Sequence, residues 1–285
     1  MWSLFKILFL ISIIYNNFIL TLQSNINNTK FPIVVLHGLE SSSKKMVPLC
    51  KWIEDTFDRN IINIEIGNGE KTSLYTPLPE QLIELCNTIY ENKALENGFD
   101  FIGISQGGLL ARGYVEQCNE YPVYNLITLV SPHGGAFMRD SVENNFMYTK
   151  FSQKHISFAG YWRNPTILEI YLEKSVYLPY LNNEKNHISM EKQKQNIINL
   201  SNFVMVWSPN DNIIYPPESG KFSFLDKGMH IIPIEETELY KEDTLGLKLL
   251  KDEERLHIHE TNCSHVDHRN PECFEQLYNI LKYYL

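Results

Sequence analysis

A serine stands between two glycines where an apolar run gives way to a helical pattern. Gly103, Ser105 and Gly107 occupy the three fixed places of a GxSxG motif within FDFIGISQGG. A serine at a sharp strand-to-helix turn projects its hydroxyl above the sheet, and the glycines remove Cβ atoms that would clash there. The pattern predicts that Ser105 is a nucleophile. An ordinary Gly/Ser turn is the alternative that the motif alone leaves open.

A serine nucleophile needs a histidine base, and the histidine needs an acid to orient it. In hydrolases with this elbow the acid follows the serine in the chain, on a loop after a strand. Asp211 fits, because it follows the apolar run FVMVW through the turn SPN. An ordinary Asx turn would give the same pattern. No comparable strand leads into Asp226 or Asp243, which are weaker candidates.

Nine histidines compete for the role of the base. His265 and His268 both lie in the last loop between a strand and a helix, where the motif requires the base. His257 and His259 alternate on the preceding strand, a pattern typical of surface or core positions. The residues alone leave His265 and His268 open, and we predict His265 partly from a resemblance given below.

Acyl transfer through a serine also requires two backbone N–H groups that bind the oxyanion. One comes from the residue after the nucleophile, and the other comes from the loop after an early strand. Gln106 holds the first position, and in VVLHGLESS the second is assigned to Leu39.

Strand and helix signals alternate along the chain, which predicts an α/β fold with a mostly parallel sheet covered on both faces. The predicted strands are 33–36, 61–66, 99–104, 126–130, 203–207 and 256–258, and the predicted helices include 46–57, 82–90 and 272–283.

The alternation stops between residues 132 and 201, a segment rich in aromatic and aliphatic side chains. We predict a mainly helical insertion that covers the active-site edge of the sheet. Its apolar residues are either a wall for an apolar substrate or the core of the insertion itself. They include Phe137, Phe146, Tyr161, Trp162, Ile167, Leu168, Ile170, Tyr171, Tyr177, Leu178 and Leu181.

The first 24 residues are predicted to be a secretory signal peptide. Lys6 precedes the apolar run 7–14, and the polar residues 15–17 make the apolar stretch short for a membrane span. Residues 25–285 then form a single catalytic domain without a stable membrane span. A secreted chain can be N-glycosylated, and three candidate sequons begin at Asn27, Asn199 and Asn262.

The balance of charge excludes one class of partner. With 34 acidic and 25 basic residues the chain carries a formal charge of −9 and shows no basic stripe, so we expect no nucleic-acid partner.

These segments together resemble the palmitoyl-protein thioesterases, from about residue 32 to the C-terminus. The order and spacing of many segments make this resemblance more specific than GxSxG alone. The segments are VVLHGLESS, GISQGGLLARGYVEQC, LVSPHGG, NPTILEIYLEKSVYLPYLNNEK, FVMVWSPNDNIIYPPES, ELYKEDTLGLKLL and the CSHVDH loop.

The resemblance implies an α/β-hydrolase fold and a Ser105, Asp211 and His265 triad, with Leu39 and Gln106 as oxyanion donors. It implies hydrolysis of long-chain fatty acyl thioesters, either S-palmitoylated proteins and peptides or palmitoyl-CoA, through an acyl-enzyme intermediate. No cofactor and no metal are expected. A lipase or carboxylesterase acting on oxygen esters is the alternative, and a non-enzymatic lipid-binding module is a third class.

The resemblance also bears on the compartment and on the five cysteines. It implies a lysosomal enzyme, with an extracellular one as the alternative. It suggests that Cys86 pairs with Cys118 and Cys263 with Cys273, which would leave Cys50 free. If the chain stayed in the cytosol, all five thiols would instead remain reduced.

Overall fold

Six parallel strands form the central sheet, in the order β2-β1-β3-β4-β5-β8. The computed structural model describes residues 30–138 and 145–285. The predicted signal peptide and Asn27 therefore lie outside the described residues. The strands of this sheet are β1 Ile33–Leu36, β2 Ile61–Ile64, β3 Phe99–Ile104, β4 Val123–Leu129, β5 Asn202–Trp207 and β8 Leu256–Glu260.

The sheet is buried on both faces because its inner strands are apolar along their whole length. Successive side chains of a strand point to opposite faces, so Ile33 and Val35 of β1 join one buried cluster while Val34 and Leu36 join the other. All six residues of β3 are buried. Such runs are typical of parallel strands covered by helices on both sides, and the predicted α/β fold is confirmed.

The helices that follow the strands cover these two faces. They are α1 Ser43–Phe57, α2 Glu70–Tyr75, α3 Leu78–Glu91, α4 Gln106–Gly113, α5 Lys150–His155, α6 Leu168–Lys174, α7 Leu178–Leu181, α8 Met190–Ile198, α9 Glu238–Lys241, α10 Leu247–Asp252 and α11 Pro271–Leu281. Among these described residues, no helix is long and apolar enough to cross a membrane.

The predicted elements are confirmed, and most of their bounds shift. Strand β2 ends at Ile64, so the predicted extension to residue 66 is wrong: Gly67 and Gly69, both with positive φ, turn the chain there. Helix α1 begins at Ser43, three residues before the predicted start. The short antiparallel pair β6 Phe224–Leu225 and β7 Ile231–Ile232 was not predicted.

The described part of the insertion is built from α5 to α8 and short 3₁₀ turns, as the prediction of a mainly helical segment required. Most of its aromatic and aliphatic side chains are buried within the core, which favours the reading that they form the insertion's own core. The buried ones are Phe137, Tyr161, Trp162, Tyr171, Tyr177, Leu178 and Leu181. Phe146 and Ile170 are exposed.

Two disulfide bonds link segments of residues 32–285, which form one compact unit. Cys86 of α3 is bonded to Cys118, the last residue of the π-helical turn Tyr114–Cys118 that follows α4. Cys263 is bonded to Cys273 across the loop that holds His265. Cys50 is a free thiol whose pKa burial raises to about 12. The sequon residues Asn199 and Asn262 are exposed, and their glycosylation stays a prediction.

Candidate active site

Ser105 lies at a strained turn between β3 and α4. Its φ of 54° and ψ of −127° lie in a region that residues with a side chain rarely adopt. A Cβ on Gly103 would lie 2.5 Å from the Cα of Gly108, and a Cβ on Gly107 would lie 2.4 Å from the carbonyl oxygen of His37. The turn therefore exists only because both motif glycines lack side chains, as the sequence pattern predicts.

Asp211 and His265 meet although 54 residues separate them. The Nδ1 atom of His265 lies 2.7 Å from Oδ2 of Asp211, and both side chains are buried. The other carboxylate oxygen of Asp211, Oδ1, accepts hydrogen bonds of 2.9 Å from the backbone N–H groups of Ile213 and Ile214. These three bonds engage both carboxylate oxygens and Nδ1 of His265, so Nε2 is the ring nitrogen that they leave available.

The competing histidine of the same loop is held elsewhere. Nδ1 of His268 lies 2.9 Å from the carbonyl oxygen of Ser264, and Nε2 lies 2.8 Å from Oγ1 of Thr261. Burial lowers the pKa of this ring. Both ring nitrogens of His268 are therefore occupied within its own loop.

The competing carboxylates also pair away from the elbow. Asp226 lies 3.1 Å from the exposed ring of His230 beside the β6–β7 pair, and Asp243 lies 3.3 Å from the ammonium of Lys194. Neither residue lines the cavity that contains Ser105.

The loop after β1 packs directly against the nucleophile. A Cβ on Gly38 would lie 2.9 Å from the Cβ of Ser105, so only a glycine permits this approach. Leu39 follows Gly38 and lines the same cavity as Ser105. Gln106 is the first residue of α4, and the first N–H groups of a helix find no acceptor inside it. Both predicted oxyanion donors thus lie beside Ser105.

Ser105 and His265 line one cavity of about 230 Å³. Leu39, Tyr161, Ile213, Ile214 and Val266 supply most of its apolar wall. Tyr161 is the single residue, of the eleven noted in the insertion, that lines this cavity. A larger cavity of about 770 Å³ lies between α3 and the insertion, but none of the predicted catalytic residues lines it.

One group of three potential metal ligands lies next to the site. Cys263, His268 and Cys273 offer atoms within 4.8 Å of one another. The two cysteines are bonded to each other, and a disulfide offers no thiolate to a metal ion.

The side chain of Gln106 is a feature that the sequence reasoning missed. Its Nε2 donates to the carbonyl oxygen of Ser73 at 2.8 Å, and its Oε1 accepts from the hydroxyl of Ser157 at 3.0 Å. All three residues are buried. The residue after the nucleophile is therefore tied both to α2 and to the insertion, a link that no local motif indicates.

Arg269 was also missed, because a lone arginine in a loop carries no signal of its own. It ends the 3₁₀ turn that follows His265 and lines the same cavity as Ser105.

Comparison with known proteins gives a consistent set of relatives. The family model described as palmitoyl protein thioesterase matches residues 32–265. "Palmitoyl-protein thioesterase 3" of Dictyostelium discoideum is 38% identical over 248 residues, which cover 83% of this chain and 86% of that protein. "Lysosomal thioesterase PPT2 homolog" of Drosophila melanogaster is 30% identical over 241 residues, covering 80% of this chain and 82% of that protein.

Solved structures agree on the fold. An extracellular α/β-hydrolase from a Paenibacillus species aligns with a TM-score of 0.52 over 88% of this chain and 98% of that chain, at 12% sequence identity. At this identity the likeness shows the fold alone, which is that of the α/β-hydrolases.

Proposed function

The chain belongs to the palmitoyl-protein thioesterase family and is a thioester hydrolase, and we propose that it cleaves long-chain fatty acyl thioesters with Ser105, His265 and Asp211. The thiol partner would be a cysteine of an S-acylated protein or peptide, or coenzyme A. One observation carries the proposal. Ser105 at its strained turn and His265, which is bonded to Asp211, border one cavity with an apolar wall.

In the first half of the reaction Ser105 Oγ attacks the thioester carbonyl while Nε2 of His265 takes the hydroxyl proton. The carbonyl oxygen becomes an oxyanion that the N–H groups of Leu39 and Gln106 stabilise. When the C–S bond breaks, His265 returns the proton to the sulfur, and the thiol leaves with the acyl group bound to Ser105. Asp211 holds the imidazole in the required tautomer and stabilises its charged form.

In the second half water replaces the thiol. Nε2 of His265 takes a proton from the water as its oxygen attacks the acyl-enzyme, and the same proton returns to Ser105 Oγ as the ester bond breaks. The fatty acid leaves, and the enzyme regains its starting protonation state.

Selectivity for long chains would come from apolar contact, because the acyl chain offers no other group. Each buried methylene contributes about 0.8 kcal/mol. Ile213 and Ile214 lie two and three residues after Asp211 and line the cavity, and Tyr161 of the insertion lines it too. We assign these side chains to the start of the acyl groove, beside the carbonyl.

We further propose that the enzyme works in the lysosome after entering the secretory route. Two disulfides suit an oxidising compartment during folding. The Drosophila relative carries the word lysosomal in its name, and a fluorescent fusion of the full chain tests the assignment here.

The test is a side-by-side assay of palmitoyl thioester and palmitoyl oxygen ester with purified protein. We expect faster cleavage of the thioester and loss of all activity in Ser105→Ala. The matched control is Ser189→Ala, which changes an exposed serine away from the site. Activity that persists in Ser105→Ala would overturn the mechanism. A clear preference for the oxygen ester would instead favour a lipase or carboxylesterase.

A further inference from the structure

Arg269 carries a charge that no acidic side chain balances. Among the arginines within residues 30–138 and 145–285, it is the one without a carboxylate partner. The other four arginines of these ranges each pair with an acidic residue: Arg59 with Asp100, Arg112 with Glu116, Arg163 with Glu184 and Arg255 with Glu253. In a chain of net charge −9 an unpaired guanidinium is unusual because carboxylates are abundant.

The guanidinium is held beside the reaction centre. Its Nη1 donates a hydrogen bond of 3.1 Å to the hydroxyl of Ser41, two residues after the predicted oxyanion donor Leu39. Arg269 also lies on the turn that starts next to His265, and it lines the cavity together with Ser105. The side chain therefore spans the two loops that border the elbow.

Most of the donors of this side chain remain available. A guanidinium has five N–H donors in a planar fork, and the bond to Ser41 uses one. Of the described residues that line the cavity, Glu40 is the one with a carboxyl group, and it forms no ion pair with Arg269. Burial lowers the pKa of Arg269, which means that its charge is partly withdrawn from water. A half-buried charge without a partner is costly unless a ligand supplies the opposite charge.

We propose that Arg269 is a specificity-determining residue that binds an anionic group on the thiol half of the substrate. The inference rests on the proposed function, because a fatty acyl chain carries no charge and the anion must therefore come from the thiol side. Carboxylate and phosphate oxygens both match the planar fork of an arginine. A carboxylate near the sulfur and a phosphate further along a carrier thiol share this chemistry, and the experiment separates them.

The test uses four thioesters with the same acyl chain. Mercaptopropionate and mercaptopropanol differ in one carboxylate, while 4′-phosphopantetheine and pantetheine differ in one phosphate. The wild type should show about tenfold higher kcat/KM for the anionic member of one pair, as expected for a hydrogen bond between charged groups. Arg269→Gln should abolish this preference through KM and leave the rates on both neutral thioesters within about twofold. Arg269→Lys should restore part of it.

Two control variants separate charge from structure. Lys248→Gln removes the same charge from an exposed position on α10 and should leave the preference unchanged. Ser41→Ala removes the bond to Arg269 but keeps its charge, and a preference should remain. If Arg269→Gln lowers kcat/KM equally for all four thioesters, Arg269 only supports the structure of the site, and the proposal is overturned.

The outcome also separates the two proposals. Equal wild-type rates within both pairs overturn the role of Arg269 alone. If the wild type hydrolyses none of the four thioesters, the proposed function fails, and the inference fails with it.

Discussion

The substitution Asp211→Asn should remove nearly all activity while leaving the fold intact. Oδ1 of Asp211 accepts two backbone hydrogen bonds, from Ile213 and Ile214, and only an oxygen can keep them. The new amide must therefore turn its NH₂ group toward Nδ1 of His265, which lies 2.7 Å from Oδ2 in the native protein. Nδ1 then has to accept a hydrogen bond, so the proton moves to Nε2 and blocks the base.

The expected loss follows from this change of tautomer. Holding a catalytic histidine in the wrong tautomer lowers kcat by about 10⁴-fold, or about 5 kcal/mol in the activation free energy. Asp211 does not line the cavity, so KM should change little. The two backbone bonds remain, and the midpoint of thermal unfolding should therefore stay close to that of the wild type. Steady-state kinetics with a palmitoyl thioester and thermal unfolding followed by circular dichroism measure both quantities.

The chain provides a matched control for this variant. Asp226 also accepts a backbone hydrogen bond through Oδ1 and contacts a histidine ring, that of His230, through Oδ2. The pair is at the surface, and Asp226→Asn should leave kcat unchanged. If Asp211→Asn retains more than about a tenth of the wild-type kcat, Asp211 does not set the tautomer of His265, and the reasoning is wrong.

Two further predictions concern the elbow and the buried ion pair. Gly107→Ala places a Cβ 2.4 Å from the carbonyl oxygen of His37, a backbone atom that cannot move aside. It should cost about 1–3 kcal/mol in the free energy of unfolding, measured with urea, and it should also abolish activity. Burial raises the pKa of Glu116, which is paired with Arg112, above its ordinary value of 4.5. The folded protein therefore holds this proton to a higher pH than the unfolded chain, and the free energy of unfolding should fall as the pH rises above 4.5. In Glu116→Gln the free energy of unfolding should change less with pH, because the glutamine does not titrate.

Each of these predictions has its own check. Gly228→Ala brings a new Cβ to 2.8 Å from the exposed ring of His230, which can rotate away, so this variant should keep both stability and activity. Normal activity in Gly107→Ala would contradict the close approach at the elbow. For Glu116, urea unfolding at several pH values is the measurement. If the free energy of unfolding falls with pH at the same slope in the wild type and in Glu116→Gln, another group causes the pH dependence.

The sequence by itself predicted the order of the strands along the chain and the place of the elbow, because these depend on neighbouring residues. Alternating and continuous apolar runs report burial directly. The glycines around Ser105 report a backbone conformation that other residues avoid. The bounds of these elements do not follow from the same pattern, because the ends of β2 and α1 depend on turns and caps rather than on hydrophobic spacing.

The tertiary structure decided which distant side chains meet. His265 and His268 are equivalent by position in the sequence, and only the packing of their loop against the turn after β5 brings one of them to Asp211. The same reason explains why Arg269 and Gln106 were missed. The partners that a charge or an amide finds, or lacks, lie far away in the chain. The sequence gives the functional group of each side chain. Only the folded sheet brings groups that are far apart in the chain within bonding distance of one another.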